Sequence, residues 1–343
     1  MSSSYDRTLA SLAAGSRRWL ITGCAGFIGS HLLAKLLQAG QHVTGLDDLS
    51  SGERANLDEV RAQVGAEAWK QFNLINGDIR ESSTCREACR GADFVLHHAA
   101  LVSVPLSIED PLRCNAINVD GFLNVLDAAR EAGVKRFVYA SSSAVYGDSP
   151  GMPASEDGKA DPSSPYGVSK LINELYAAVF SRNYGITTAG LRYFNVFGPR
   201  QDPTGGYAAV IPKWIAASLR GEPCGINGDG GNTRDFCHVE NVVQANILAA
   251  MAPMTGSEVF NVGLGERTTL NELCSLIAAE VRKLNPSSEV PAPIHAPARP
   301  GDILHSQADV SKIRHQLGFE PTGSLAEGVC EMLRCYAARS GPV

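Results

Sequence analysis

The chain has 343 residues, 44% hydrophobic and 19% charged, with 34 glycines and 18 prolines. This composition belongs to a soluble globular protein and excludes fibrous, collagen-like and disordered chains. Thirty basic against 36 acidic residues leave a net charge of −6, and neither sign forms a run, so no nucleic-acid footprint is expected.

At this length one large domain with a smaller lobe is the expected organisation. Nine cysteines show no CxxC pair and no finger-like spacing, which suits reduced thiols in a cytoplasmic protein. Residues 1–17 read as an N-terminal extension, either a short surface helix or frayed. No charged leader followed by an apolar run is found there, and no apolar stretch reaches the length of a membrane span, so no membrane association is expected.

From Arg18 the pattern runs WLITG, then FIGSHLLAKLLQAG, then HVTGLDD: a buried strand, a helix and a second buried strand. Further apolar runs follow at NLINGD, DFVLHHAA, RFVYASS and TAGLRYFN, separated by helical stretches such as NVDGFLNVLDAAREAG and SKLINELYAAVFSRNYG. Strands without alternation, interleaved with helices, predict an α/β fold with a Rossmann-type doubly wound parallel sheet. After Asn195 the sequence turns rich in Gly, Pro and Asp, and reads as a smaller C-terminal substrate-binding lobe at the carboxyl ends of the strands. A helix near Val239–Met251 and the strand SEVFNVG return to the sheet. A helix from Leu270, a proline-rich connector and a helical tail complete the lobe.

Three motifs carry chemistry. Gly23, Gly26 and Gly29 form a GxxGxxG turn between the first strand and helix, where the backbone of Gly26, Phe27, Ile28 and Gly29 can approach a pyrophosphate. A tight packing turn would read the same way. Asp47 ends the second strand and is placed to accept from an adenosine ribose diol, which favours NAD over its phosphorylated form. Asp78 and Ile79, after the third strand, are placed to meet the adenine. Tyr166 and Lys170 lie four residues apart on one helix face, where the ammonium favours the phenolate and makes Tyr166 a candidate base. Bringing the phenol to neutral pH takes about 4 kcal/mol, asked here of the ammonium plus an oxidised nicotinamide. Upstream, Ser141, Ser142 and Ser143 follow a strand whose carboxyl end faces the cleft.

In this order and spacing these motifs resemble the extended short-chain dehydrogenase/reductases, and within them the bacterial UDP-N-acetylglucosamine/UDP-N-acetylgalactosamine 4-epimerases of the O-antigen type. The likeness runs from Trp19 to about Ala308 through GDIR, SSPYGVSK, LRYFNVFGPRQDP, TRDFCHVEN and RPGDILHSQAD. It implies an NAD-binding domain over 18–194 with a return segment 236–263, and a UDP-sugar lobe over 195–235 and 264–343. It implies tightly bound NAD, a UDP-sugar substrate, a transient 4-ketose, a place in polysaccharide or lipopolysaccharide biosynthesis, and a homodimer. Carried over, Ser142 and Tyr166 form the catalytic pair, and Lys170 anchors the ribose and supplies the field. Ser103 and Ser143 touch the sugar. Asn195, Arg234 and Arg299 hold the diphosphate, Ala209 and Asn227 lie near the uridine, and Asp302 meets its ribose. Ser306 occupies a gate beside the C2 substituent, where a small residue admits an acetamido group.

The related dehydratases place an Asp-Glu pair after the catalytic hydroxyl residue, whereas Ser143-Ala144 stand here, which disfavours elimination. Val102 and Leu106 replace a glycine and an arginine of the closest-matching pattern and leave the sugar open between N-acetylhexosamine, its uronic acid and plain hexose. A net oxidoreductase and a non-catalytic nucleotide-sugar-binding regulator are the further alternatives. Arg234 is read either as a phosphate ligand or as the partner of Asp235. No metal is expected, because His97 and His98 have no companion ligands at suitable spacing.

Overall fold

The computed structural model describes residues 2–147, 151–204, 208–298 and 304–340. Seven strands form one sheet: β1 (Arg18–Thr22), β2 (His42–Asp47), β3 (Phe72–Asn76), β4 (Phe94–His97), β5 (Arg136–Ser142), β6 (Thr188–Tyr193) and β7 (Ser257–Val262). Their order across the sheet is β7-β6-β5-β4-β1-β2-β3, and all pairs are parallel, with Trp19 opposite both Val43 and Phe94. The chain thus reverses direction across the sheet between β1 and β4, and ligands of open α/β sheets bind at such a switch point.

Both faces of the sheet are covered, which is why its strands are apolar throughout. One buried cluster joins Trp19, Ile21, Leu32, Leu36, Val242 and Phe260. The other joins Leu20, Val95, Phe122, Phe137 and Tyr139. A third cluster, around Ile215, Ile226, Ile277 and Met332, lies off the sheet. It is built by the helices Val210–Leu219, Leu270–Leu284 and Leu325–Ser340 and the short strand Gly225–Asn227.

The N-terminal extension is a helix, Ser4–Ala13, started by a capping box between Ser3 and Asp6. It is anchored and not frayed: Leu12 is fully buried, worth about 2 kcal/mol, and Gln41 donates to the Leu12 carbonyl at 2.9 Å. Among the described residues no helix is long and apolar enough to cross a membrane.

Candidate active site

The glycine turn sits at the switch point. Gly23 has φ +71° in the left-handed region, and a Cβ there would stand 2.7 Å from the Ala99 amide nitrogen, just beyond β4. A Cβ on Gly29 would stand 2.0 Å from the Gly23 carbonyl, so only glycine lets the helix Phe27–Gln38 begin this close to the turn. Gly26 caps that helix without a side chain. The first-turn amides of Phe27, Ile28 and Gly29 therefore meet no cap from Gly26, and the helix N-terminus forms a cradle for an anion. At the end of β2, Asp47 accepts from the amides of Ala25 at 2.8 Å and Leu49 at 2.9 Å. Burial pushes its carboxyl above the usual range, against the pull of those two amides. These residues fit a dinucleotide: a side-chain-free pyrophosphate cradle with a buried acceptor beside it. Asp78, two residues past β3, is clasped by Arg80, with Nη2 to Oδ2 at 2.5 Å, and Ile79 is buried against Gly121.

The candidate hydroxyls of Ser142 and Tyr166 are carried by the end of β5 and the start of the helix Pro165–Tyr184. Ser142 closes β5 in extended backbone and its Oγ accepts from Ala144 N at 3.1 Å, starting the tight turn Ser143–Tyr146. The Ser142 hydroxyl hydrogen is thereby left to donate elsewhere, and Ser142 acts on the Tyr166 phenol to favour its ionised form. Gly167 makes that approach possible, since a Cβ on it would stand 2.6 Å from the Ala144 carbonyl. Lys170 is buried, with Nζ donating to the Ala140 carbonyl at 2.9 Å and lying 5.7 Å from the Tyr166 ring centroid. Burial pushes its ammonium down to about 8, a trend opposed by the Cys114 thiol. The phenol itself is raised by burial, with Ser142 pulling it back and Cys114 adding to the rise. Burial is the largest effect on this phenol in the protein alone; the phenolate is expected of the ammonium together with an oxidised nicotinamide.

His97 and His98 are held by hydroxyls: His97 Nδ1 lies 2.8 Å from Thr22 Oγ1, and His98 Nε2 lies 2.9 Å from Tyr193 Oη. Burial drives His97 well below its ordinary value and His98 down to about 3, so both are neutral.

In the smaller lobe, three of the expected substrate residues converge on one stretch of chain. Asn195 Nδ2 donates to the Asp235 carbonyl at 3.2 Å. Arg234 lies in the short strand Thr233–Arg234 and donates through Nη1 to the Thr233 carbonyl at 2.9 Å. The amide of Ser306 donates to the Thr233 carbonyl at 3.1 Å. The Asp235 carboxylate is taken by the amides of Leu264, Gly265 and Ala308 at 2.9, 3.0 and 3.0 Å. Asp235 is therefore a buried organiser of these loops. Ala209 caps the helix Val210–Leu219, and Asn227 lies opposite Ala296 in a two-stranded ribbon. Ser103 caps the helix Val104–Glu109 with its Oγ accepting from Leu106 N, and half-buried Ser143 follows Ser142. Arg299 and Asp302 lie outside the described residues.

Several supporting residues carried no signal in sequence. Glu174, two turns along the catalytic helix, accepts from Arg192 of β6 at 2.9 and 2.7 Å and from Ser141 Oγ at 2.5 Å, all buried. Asn261 of β7 accepts from Tyr146 Oη at 2.6 Å. Ser107 and Asn118 bond to the loop and helix around Tyr166. Apart from the bond of Ser107 to the Val104 carbonyl, each pairing joins residues at least 17 apart in the chain, where spacing gives no clue. Only the polar residues themselves, standing inside apolar runs, hint that partners exist.

Residues 19–263 match the NAD dependent epimerase/dehydratase family. A UDP-glucose 4-epimerase of Mycolicibacterium smegmatis is 38% identical over 325 residues, covering 94% of this chain and 99% of that protein. Among solved structures, the UDP-N-acetylglucosamine 4-epimerase of Methanobrevibacter ruminantium, in complex with UDP-N-acetylmuramic acid, superposes with a TM-score of 0.87. It is 37% identical and covers 94% of this chain and 99% of its own. The UDP-glucose 4-epimerase of Thermus thermophilus, in complex with NAD, has a TM-score of 0.80 at 34% identity, covering 95% of this chain and 100% of its own.

Proposed function

Because this chain belongs to the NAD-dependent epimerase/dehydratase family and is an NAD-dependent UDP-sugar 4-epimerase, we propose that its substrates are UDP-N-acetylglucosamine and UDP-N-acetylgalactosamine. One observation carries the choice: half-buried Ser306, whose amide donates to the Thr233 carbonyl beside Arg234, stands at the position the resemblance gives to the C2 gate, and its small side chain suits an acetamido group. Likeness to a UDP-N-acetylglucosamine 4-epimerase supports it. The second reading, plain UDP-glucose and UDP-galactose, is favoured by the Mycolicibacterium relative. The uronic acid is disfavoured by Leu106 in place of an arginine.

The glycine cradle of Gly23, Gly26 and Gly29 with Phe27 and Ile28 holds the NAD pyrophosphate, and Asp47 takes the adenosine ribose. Asp78 and Ile79 flank the adenine. When bound, NAD supplies a hydride acceptor that is regenerated within one turnover. Tyr166 removes the O4 proton of the sugar, Ser142 steadies the developing oxyanion, and Lys170 fixes the ribose and lends its charge. Asn195, Arg234 and Arg299 hold the diphosphate with permanently charged or fixed donors. Ala209, Asn227 and Asp302 seat the uridine, and Ser103, Ser143 and Ser306 face the hexose. Anchored by its nucleotide, the 4-ketose turns its other face, and Tyr166 returns the proton as C4 is rebuilt inverted.

The apolar residues Val168, Leu175 and Val179 are exposed along one stripe of the catalytic helix, with Ile108 and Leu112 exposed nearby. This supports a homodimer, testable by light scattering.

The deciding experiment incubates the protein, without added NAD, with UDP-N-acetylglucosamine, UDP-glucose or UDP-N-acetylglucosaminuronic acid. Proton NMR then follows inversion at C4. Fastest inversion of UDP-N-acetylglucosamine is expected, and faster turnover of UDP-glucose replaces the first reading with the second.

A further inference from the structure

The helix that carries the candidate base starts with an acceptor borrowed from elsewhere. Four first-turn amides of a helix lack intrahelical partners. In the helix Pro165–Tyr184, Pro165 has no N–H. The amide of Gly167 donates to Ser164 Oγ at 3.1 Å and that of Val168 to the Ser164 carbonyl at 2.9 Å. The amide of Tyr166 donates instead to Ser107 Oγ at 3.1 Å, 59 residues back. Ser107 is fully buried, and its hydroxyl donates in turn to the Val104 carbonyl at 2.6 Å.

The carbonyl of Tyr166 is tied to the same segment by a second route. It accepts from Ser169 Oγ at 2.7 Å, and Ser169 Oγ accepts from Asn118 Nδ2 at 3.1 Å. Asn118 holds both backbone groups of Leu101, accepting from its amide at 2.7 Å and donating to its carbonyl at 2.9 Å. Both polar backbone atoms of Tyr166 are thus fastened to residues 101–107, the segment that also carries Ser103.

We propose that Ser107 is a positioning residue that locks the backbone of Tyr166 to this segment and so sets where its phenol stands against Ser142 and Lys170. The inference rests on Tyr166 being the base of the C4 inversion. An epimerase needs its base at one place for two proton transfers with opposite sugar faces, while the sugar itself turns. A rigid tie on the protein side supplies that fixed point, and displacement of a base by a fraction of an ångström slows proton transfer steeply. Loss of the hydroxyl also leaves the Tyr166 amide a buried donor without an acceptor, so the first turn shifts to find one.

The test compares wild type, Ser107→Ala and Ser107→Cys as NAD-loaded enzymes. The Tyr166 phenol is titrated by ultraviolet difference absorbance, with Tyr166→Phe subtracted, and kcat and KM are measured for the sugar found to invert. Ser107→Ala is expected to lower kcat about tenfold with KM changed less than about twofold, and to move the phenol midpoint to higher pH. A melting temperature that falls while kcat and midpoint stay at wild-type values overturns the proposal and leaves Ser107 a simple helix cap. If Ser107→Ala fails to fold, Ser107→Cys, whose thiol is a weak acceptor, carries the same comparison, and wild-type kcat and midpoint there overturn it equally. The titration needs NAD but no sugar, so absence of C4 inversion in the wild type sinks the substrate reading without touching this result.

Discussion

The Lys170 ammonium stands 5.7 Å from the centre of the Tyr166 ring and donates to the Ala140 carbonyl of β5 at 2.9 Å. Its burial brings it down to about 8 from an ordinary 10.5, so the charge beside the phenol is present below that pH and lost above it. The rate of C4 inversion is therefore expected to fall as pH rises through about 8, seen in kcat against pH. For stability the sign runs the other way. Between about 8 and 10.5 the unfolded chain binds the extra proton, so this group's contribution to stability rises with pH across that window. Below it, the fold carries the cost of a buried charge. Lys170→Met should accordingly abolish the alkaline limb, lower kcat by about 100-fold or more, and raise stability by about 1–3 kcal/mol. A lower melting temperature for that variant contradicts the buried-charge account.

The Glu174–Arg192 pair is fully internal, with 6–7% side-chain exposure at both ends. It joins the catalytic helix to β6, and Ser141 donates to the same carboxylate. Truncating one partner leaves the other charge buried and alone, so Glu174→Ala is expected to destabilise by about 3–5 kcal/mol. Urea denaturation measures it. A loss below about 1 kcal/mol means that Arg192 is held well enough by its remaining acceptor, the Glu156 carbonyl at 3.4 Å from Nη1.

Asp47 is raised by burial and so takes up a proton at a higher pH than an ordinary carboxylate. Retention of NAD is expected to weaken on acidification before exposed carboxylates titrate, and Asp47→Asn should flatten that dependence while weakening retention throughout. Cofactor content after gel filtration at several pH values is the readout. Equal NAD content in variant and wild type removes Asp47 from the ribose site.

The sheet was legible in sequence, and the candidate triplet of Ser142, Tyr166 and Lys170 could be picked out there, because both rest on local order. Apolar runs between helical stretches give parallel strands, and TGxxGxxG, the serines and YxxxK each sit within one turn or one helix. What stayed hidden depends on long-range pairing. Ser107 reads as one more serine in a loop until the fold sets it against Tyr166. Asp235 gives no sign in sequence that its carboxylate accepts from three amides at 264, 265 and 308. The dryness of the cleft stayed hidden for a related reason: spacing places the ammonium but says nothing about burial, which is the largest effect on the phenol.

Ser306 offers the sharpest test of sugar choice, because its backbone is pinned while its side chain is small. Its amide donates to the Thr233 carbonyl, and the neighbouring imidazole of His305 lies 3.0 Å from Thr233 Oγ1. A larger side chain at 306 therefore extends from a fixed point and cannot escape by moving the strand. Ser306→Tyr should lower kcat/KM for UDP-N-acetylglucosamine by about 10–100-fold, the discrimination that a filled pocket achieves against a bulkier substituent. UDP-glucose, with a hydroxyl at C2, should lose less than about threefold. Parallel losses for both sugars would show that the tyrosine disturbs the diphosphate site at Arg234 instead, and unchanged turnover of both would place the C2 substituent away from residue 306.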